Sequence, residues 1–364
     1  MREHYFFDNA GTTWPKPEVV YQTMDSFLRS YGVNPGRGAH EMAAEADRMV
    51  TETRRLLAEF FGYNGPSERV VFGQNVTDAL NMALFGLLSP GDHLITTRME
   101  HNSTVRPANH LERDGGVEVT WIAADVEGYV DPADIAAALR PNTRVVSINH
   151  GSNVLGTVQD AEGIGRVVAA SDAFFVIDTA QTAGVLDVDM ERFQIDVLTF
   201  TGHKGLFGPM GVGGLIVREG VPIRHARVGG TGVNSIDPFQ PDEYPHRLEA
   251  GTVNLPGITG LNAAQKWFAD LGRQKAGAKV TGMTHRQLCQ VALAHIEQTE
   301  VGHVRYLSDQ LRRMEGVTVY GPPGNRPRVA VLAFNIDGIP ATQVGDMLDA
   351  DHHVCVRAGL HCAP

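Results

Sequence analysis

The sequence has few cysteines, an excess of negative over positive charge, and no long hydrophobic run. Three cysteines among 364 residues are too few for a disulfide framework and favour a reducing compartment. The formal net charge is −11, and without any basic run this argues against nucleic acid as a main partner. No apolar run approaches the roughly 18 residues of a membrane span, and the first residues lack the apolar core of a signal peptide. We therefore expect a cytoplasmic protein that binds neither nucleic acid nor membrane.

Short apolar runs and amphipathic stretches alternate along most of the chain, which contains 43% hydrophobic residues and 40 glycines. This strand–helix order predicts an α/β fold with a mostly parallel central sheet flanked by helices. Residues 225–256 show little regular pattern, as is typical of a functional or interface loop. We predict an N-terminal arm (1–15) that packs with the small domain, a large domain (16–256) and a smaller C-terminal α+β domain (257–364).

The C-terminal domain is predicted from a change in pattern after the long loop. Helices are expected at 258–271, 277–299, near 303–314 and at 340–350. Strands are expected at 317–320, 329–336 and 354–357, because these stretches are rich in β-branched and aromatic residues.

The stretch from 174 to 214 contains two apolar runs that end in reactive side chains. The first run ends at Asp178, and the second ends in Thr201, Gly202, His203 and Lys204. In open α/β sheets, ligands bind beyond the carboxyl ends of the strands, so we expect Asp178 and Lys204 to share one crevice. An Asp and a Lys in a partly dry pocket suit pyridoxal 5′-phosphate (PLP), since the lysine can bind its aldehyde and the carboxylate its pyridine nitrogen. A buried structural salt bridge is the alternative.

Other polar residues follow predicted strands on the same side of the sheet. Val76 and Thr77 open a helix after the strand at 69–72, where free N–H groups favour an anion; Thr77 could instead be only a helix cap. His101 follows the strand at 93–97 and Asn153 the strand at 144–148, which favours functional over structural roles.

Among the three cysteines, Cys362 is the candidate for reactivity. Cys289 and Cys355 are predicted to be buried thiols, whereas Cys362 lies in a loop near Arg357 and His361, whose positive charge would favour the thiolate. An incidental cysteine is the alternative. A metal cluster of His352, His353, Cys355, His361 and Cys362 matches no usual zinc spacing, so we predict no metal site.

Eight motifs in order resemble the class V aminotransferases of PLP fold type I, with the nearest likeness to second-group cysteine desulfurases and selenocysteine lyases. They cover essentially the whole chain: DNAGTT, NPGRGAH, MEHNS, HGSNVLGT, VIDTAQTAG, TGHKGLFGPMG, RLEAGTVNLPG and VRAGLHCAP. The resemblance implies that Lys204 forms the Schiff base with PLP, Asp178 pairs with its pyridine nitrogen, Gln181 bonds its phenolic oxygen, and His101 stacks on its ring and relays protons.

The resemblance also implies phosphate, substrate and sulfur ligands. Phosphate would be bound by Thr77, Thr201, His203 and the backbone of Val76, with Thr252 reaching the partner subunit's phosphate, so a homodimer is expected. Substrate ligands would be Asn153, Arg357 and Arg37. The persulfide-forming nucleophile would be Cys362.

The resemblance implies conversion of L-cysteine to L-alanine, with the sulfur passed from Cys362 to an acceptor protein. L-selenocysteine is an alternative substrate, and the pathway, such as iron–sulfur cluster assembly, is left open. Family members continue into a segment with a carboxylate-binding arginine, whereas this sequence ends at Pro364. Either the sequence is truncated or this arginine is missing, and in the second case Arg357 would have to bind the substrate carboxylate alone. Rival hypotheses are a kynureninase-like hydrolase, epimerase or transaminase, none of which needs a thiol, and a non-catalytic sulfur-trafficking scaffold.

Overall fold

The computed structural model describes residues 4–35 and 38–363, so the predicted substrate ligand Arg37 lies outside the described residues. A short first strand, β1 (Tyr5–Phe6), precedes the central sheet. The strands of that sheet are β2 (Val70–Gly73), β3 (His93–Thr97), β4 (Glu118–Ile122), β5 (Thr143–Asn149), β6 (Phe174–Asp178), β7 (Val197–Thr201) and β8 (Gly213–Val217). Their spatial order is β2-β8-β7-β6-β5-β3-β4.

The sheet is mostly parallel, as the alternating pattern predicts. Strands β3 to β7 run parallel to one another, while β8 is antiparallel to both β2 and β7. Helices are α1 (Glu18–Ser30), α2 (Glu41–Phe60), α3 (Val76–Leu87), α4 (Asn102–Asp114), α5 (Pro132–Ala138), α6 (Ala161–Ala169), α7 (Leu255–Ala276), α8 (His285–Leu311) and α9 (Ala341–His352). The predicted α/β fold class is confirmed.

Both faces of the sheet are covered, which explains why the central strands are apolar without alternation. Val145, Val176 and Val197 point into a core shared with α3 and α4. Their sequence neighbours Val146 and Ile177 point into the opposite core, shared with α2, α6 and α7. The crossover helices thus leave the carboxyl ends of β5, β6 and β7 together at one edge of the sheet.

The C-terminal part carries two small sheets. Strands β9 (Val317–Tyr320) and β10 (Ala333–Ile336) form an antiparallel pair. Strand β11 (Val354–Cys355) pairs in parallel with β1, in the register Tyr5↔Val354 and Phe6↔Cys355. Leu255, Ile258 and Phe268 of α7 belong to the core beneath the central sheet. The division into an arm and two domains at the stated boundaries stays a prediction.

Several C-terminal elements differ in length from the predicted ones. The expected break between residues 299 and 303 is absent, since α8 continues through Gly302 to Leu311. Val301 and Val304 are buried on either side of that glycine, and their packing outweighs the roughly 1 kcal/mol that a helical glycine costs. Strand β10 starts only at Ala333, because Val331 N–H donates to the carbonyl of Val329 in a turn.

Within the described ranges, every helix is too short or too polar to cross a lipid bilayer.

Candidate active site

Asp178 and Lys204 come from neighbouring parallel strands. Asp178 is the last residue of β6 and is only 4% exposed, while Lys204 follows the end of β7 at Thr201. The Asp178 Oδ1 atom accepts a hydrogen bond of 2.8 Å from Ala180 N–H, which fixes the carboxyl group. The two side chains therefore meet at the carboxyl edge of the sheet, where strand order led us to expect a crevice.

Burial governs the charge state of this pair. It raises the pKa of the Asp178 carboxyl, against the opposing effects of Ala180 N–H and the Lys204 charge. Burial also lowers the pKa of the Lys204 amine; Asp178 opposes this shift and the Arg357 charge adds to it. A lysine with a lowered pKa is neutral more often, and a neutral amine can act as a nucleophile or base.

The N-terminal segment fixes the backbone immediately before Lys204. The carbonyl of His203 accepts hydrogen bonds from Thr13 N–H at 3.0 Å, from Thr12 Oγ1 at 3.1 Å and from Lys16 Nζ at 3.1 Å. Three donors on one carbonyl leave the peptide that carries Lys204 little freedom. The DNAGTT motif thus supports the lysine from outside the sheet.

Two predicted phosphate ligands have buried polar atoms without partners. Thr201 Oγ1 and His203 Nδ1 make no hydrogen bond to any described residue. Burying such atoms unpaired costs about 1–3 kcal/mol each, so a ligand that bonds them would recover this energy. Burial lowers the pKa of His203 to about 4, with smaller contributions from the charges of Lys204 and Lys16.

The start of α3 supplies a second group of anion ligands. Asn75 caps this helix, since its Oδ1 accepts from Asp78 N–H at 3.0 Å. The hydroxyl of Thr77, considered above as a possible cap, is therefore available for a ligand. A cavity of about 430 Å³ opens here and is lined by Asn75, Arg227 and Thr252, among others. Its helix N-terminus and arginine favour a phosphate, and with the unpaired atoms of Thr201 and His203 they suit the phosphate of PLP.

His101 and Gln181 are the remaining predicted cofactor ligands. His101 caps α4, and its Nδ1 accepts from Ser103 N–H at 3.1 Å. Burial lowers the pKa of His101 to about 4, assisted by the charges of Lys204 and Arg106, so its imidazole is neutral at pH 7. Gln181 Nε2 donates to the carbonyl of Ala10 at 3.0 Å, which orients its amide.

The exposed thiol of Cys362 lies in a loop tied to the site. His361 and Cys362 have φ angles of 52° and 56°, a left-handed turn that directs the loop back toward α4. Asn153 Nδ2 donates to the carbonyl of His361 at 2.7 Å, and Asn102 N–H donates to the carbonyl of Cys362 at 2.8 Å. Cys362 is close enough for its charge to raise the pKa of Lys204. Asn153 thus has a structural contact beside its predicted substrate role.

Arg357 makes a bidentate ion pair with Asp8, which the sequence reasoning did not single out. The Nε and Nη2 atoms of Arg357 each lie 2.9 Å from one oxygen of Asp8. The register of β1 and β11, extended by two residues, brings these two residues opposite each other. That long-range pairing leaves no local signal in the sequence.

Glu100 is a second residue that sequence reasoning missed, although it belongs to the MEHNS motif. It is 2% exposed and lies between His101 and the end of β5. Its Oε1 accepts from Thr97 Oγ1 at 2.7 Å and from Asn149 N–H at 3.0 Å. Burial raises the pKa of Glu100 to about 8, partly offset by these two hydrogen bonds.

The other cysteines lie away from this chemistry. Cys289 is buried in α8, as predicted, and burial raises the pKa of its thiol to about 12. The same prediction is wrong for Cys355, which is only partly buried because β11 lies in a two-stranded sheet with β1 alone. Across residues 4–35 and 38–363, one group of potential metal ligands converges, His4, Asp349 and Cys355, whose ligand atoms lie within 4.8 Å of one another. It shares only Cys355 with the sequence cluster considered above.

Comparison with known proteins agrees with this arrangement. The aminotransferase class-V family model matches residues 5–301 and 288–364. A probable cysteine desulfurase of Methanothermobacter thermautotrophicus is 33% identical over 371 residues, spanning 100% of this chain and 86% of that protein. The apo structure of cysteine desulfurase from Thermococcus onnurineus NA1 has a TM-score of 0.85 at 32% identity, covering 99% of this chain and 85% of that one.

A further solved structure, SspA in complex with cysteine, has a TM-score of 0.63 at 30% identity and covers 72% of each chain. The family match, the full-length relatives and the superposed fold agree with one another. The chain belongs to the aminotransferase class-V family and, within it, to the cysteine desulfurases.

Proposed function

We propose that this protein is a PLP-dependent cysteine desulfurase in which Cys362 takes the sulfur of L-cysteine as a persulfide and passes it to an acceptor protein. The observation that carries the proposal is the convergence of Asp178, Lys204 and Cys362 at one edge of the sheet, close enough for both other groups to affect the pKa of Lys204. A hydrolase or transaminase of the same fold has no use for a thiol held at this place.

The residues that would hold PLP surround that edge. Lys204 would bind its aldehyde carbon, Asp178 its pyridine nitrogen and Gln181 its phenolic oxygen, with His101 against the ring. Phosphate would bind the orphaned polar atoms and the helix start described above; these ligands are Val76, Thr77, Thr201 and His203, with Thr252 from the partner subunit. When bound, PLP supplies an electron sink that stabilises negative charge at the substrate Cα.

The chain's own groups then move the proton and the sulfur. Neutral Lys204 accepts the substrate's α-proton, which is why its lowered pKa matters. The Cys362 thiolate attacks the substrate Sγ, so that an S–S bond forms while the Cβ–S bond breaks, and the electron pair of that bond stays with the substrate carbon. Protonation of this carbon, together with return of a proton from Lys204 to Cα, gives L-alanine, and the persulfide stays on Cys362.

Substrate and partners are part of the proposal. Arg357, Asn153 and Arg37 are the proposed substrate ligands, and the complex of the related SspA with cysteine supports L-cysteine over other amino acids. L-selenocysteine would fit the same groups. A homodimer with shared sites, in which Thr252 would reach the partner subunit's phosphate, is proposed from the resemblance of the EAGT motif at residues 249–252. A cytoplasmic location stays a prediction from the cysteine content.

A single-turnover experiment tests the proposal. Purified protein loaded with PLP would be mixed with L-cysteine, and alanine and protein-bound persulfide would be counted for wild type, Cys362→Ala and the control Cys355→Ser. We expect about one alanine and one persulfide per site in wild type and control, and neither in Cys362→Ala, because that variant lacks the attacking thiol.

Three other outcomes contradict the proposal. A PLP absorbance band without alanine would point to a different amino-acid substrate. Alanine formation that survives Cys362→Ala would mean that the thiol is incidental. Failure of the protein to retain PLP would contradict the proposed roles of Lys204 and Asp178 as PLP ligands.

A further inference from the structure

The N-terminal arm reaches the site by strand pairing with the segment that carries Arg357. Phe6 pairs with Cys355, and Phe7 N–H donates to the carbonyl of Cys355 at 2.9 Å. Two residues beyond the end of each strand, Asp8 lies opposite Arg357. The position of the Asp8 carboxylate is therefore fixed by backbone hydrogen bonds rather than by its own flexible side chain.

The ion pair uses only one side of the guanidinium group. Asp8 binds Nε and Nη2 of Arg357, whereas a guanidinium carries five N–H donors. Both hydrogens of Nη1 and one of Nη2 remain available at the opposite edge, which has the two-pronged geometry that carboxylates prefer. Arg357 keeps 49% of its side chain exposed, against 23% for Asp8, so the free edge is open to a ligand.

Asp8 also limits where that free edge can point. An arginine side chain has several rotatable bonds, and holding one rotamer costs up to about 2 kcal/mol. Because Asp8 already holds the guanidinium in one orientation, this loss of rotamer entropy does not have to occur when a ligand binds. The charge of Arg357 affects both Lys204 and His361, so the preset guanidinium lies beside the proposed reaction site.

We propose that Asp8 is the positioning residue of the substrate-carboxylate site: it holds Arg357 by Nε and Nη2 so that the opposite edge of the guanidinium binds the carboxylate of the amino-acid substrate. This inference rests on the proposed function, in which Arg357 is the carboxylate ligand. Asp8 then sets substrate affinity, while the chemical steps depend on Lys204 and Cys362.

Two small thiols separate the carboxylate site from the rest of the pocket. 3-Mercaptopropionate has the carboxylate and thiol of the substrate without its amine, and cysteamine has the amine and thiol without the carboxylate. Their dissociation constants would be measured by calorimetry on PLP-loaded wild type, Asp8→Asn and Asp8→Ala. The control is Asp25→Asn, which removes an exposed Asp–Arg ion pair on α1, where both Asp25 oxygens accept from Nε of Arg29.

We expect both Asp8 variants to weaken 3-mercaptopropionate binding about tenfold, the size of one charge-assisted contact, and to leave cysteamine binding unchanged. The KM for L-cysteine should rise by a similar factor with kcat within about twofold, and Asp8→Glu should restore part of the loss. Asp25→Asn should behave as wild type.

Specific results would overturn the inference. Equal losses for both thiols would mean that Asp8 only anchors the arm, and unchanged binding of both would mean that Arg357 needs no orienting partner. Tighter 3-mercaptopropionate binding would mean that Asp8 competes with the ligand. Because calorimetry needs no turnover, an inactive wild type would refute the proposed function while leaving this test in place.

Discussion

Glu100 carries one paired and one unpaired carboxyl oxygen at a position next to His101. Its Oε2 has no partner among the described residues, and the same holds for the neighbouring atoms Thr104 Oγ1 and Asn149 Oδ1. Asn149 Oδ1 can only accept a hydrogen bond, whereas the Thr104 hydroxyl can also donate, so a proton on Oε2 would add a donor to this group of atoms. With a pKa of about 8, Glu100 is best understood as a carboxyl group that is protonated at pH 7.

The stability of Glu100→Gln relative to wild type should therefore increase as the pH rises. The folded pKa of about 8 exceeds the unfolded value of 4.5, so the native state binds more protons between these values and loses stability as pH rises. Glu100→Gln mimics the neutral acid and avoids this loss. Urea unfolding at pH 5 and pH 8.5 would measure this difference. Between these two pH values, the free energy of unfolding of the variant should rise by a few kcal/mol relative to wild type, since a shift of one pKa unit corresponds to about 1.4 kcal/mol.

The exposed Glu112, on the surface of α4, provides the control. Glu112→Gln should follow the wild-type pH dependence. Parallel stability curves for Glu100→Gln and wild type would show that Glu100 is ionised in the folded protein across this range.

At the scale of elements, the loops after β6 and β7 touch through their backbones. Gly184 has a φ of 86°, and a Cβ atom there would overlap the carbonyl of Gly205. Gly205 directly follows Lys204, and a carbonyl cannot move aside as a flexible side chain can. The two glycines thus set the distance between the Asp178 loop and the Lys204 loop.

Gly184→Ala should destabilise the protein much more than an alanine substitution at another glycine with a similar φ angle. Gly220 has a φ of 84° and open space around it, so Gly220→Ala should cost only the left-handed strain of about 1 kcal/mol. Gly184→Ala adds the overlap, and we expect about 3 kcal/mol or more together with weakened PLP retention. Thermal unfolding and cofactor absorbance would measure both effects; similar values for the two variants would mean that the loops can separate freely.

These contacts show which parts of the structure could be predicted from the sequence. Strands β3 and β9 match their predicted bounds, because their apolar runs are short and flanked by turn residues. The continuation of α8 through Gly302 could not be predicted from the local sequence, because packing of the residues on both sides of the glycine decides it. Within the site, the order of strand ends placed Asp178 and Lys204 correctly at one edge, whereas Asp8 depends on pairing across almost the whole chain.

Side-chain roles were harder to predict than positions. The sequence is compatible with Thr77 as the N-terminal cap of α3, and only the structure shows that Asn75 caps this helix instead. Glu100 reads as an ordinary charged residue in a polar motif, because nothing local signals that both neighbouring strands bury it. Burial and long-range pairing are properties of the fold, and they decide protonation and orientation.

At the scale of the molecule, burial keeps several histidines of the described ranges neutral at pH 7. Burial lowers the pKa values of His101, His150 and His203 to about 4. Two of them lie in the site, and His150 lies beneath it, with its Nδ1 2.9 Å from Thr182 Oγ1. A neutral His101 beside Lys204 adds no positive charge to the site, and the same burial links the stability of the protein to acidity.

Acid should destabilise the protein partly through His150. Its folded pKa of about 4 lies below the usual value of 6.5 for the unfolded chain, so the unfolded state binds more protons between these values, and this contribution to stability is lost as pH falls through that window. His150→Gln removes the titration, so between pH 7 and 4.5 wild type should lose up to about 3 kcal/mol more than the variant. The exposed His303→Gln should match wild type. Urea unfolding at both pH values measures the difference, and an equal loss in wild type and His150→Gln would place the acid sensitivity in other groups.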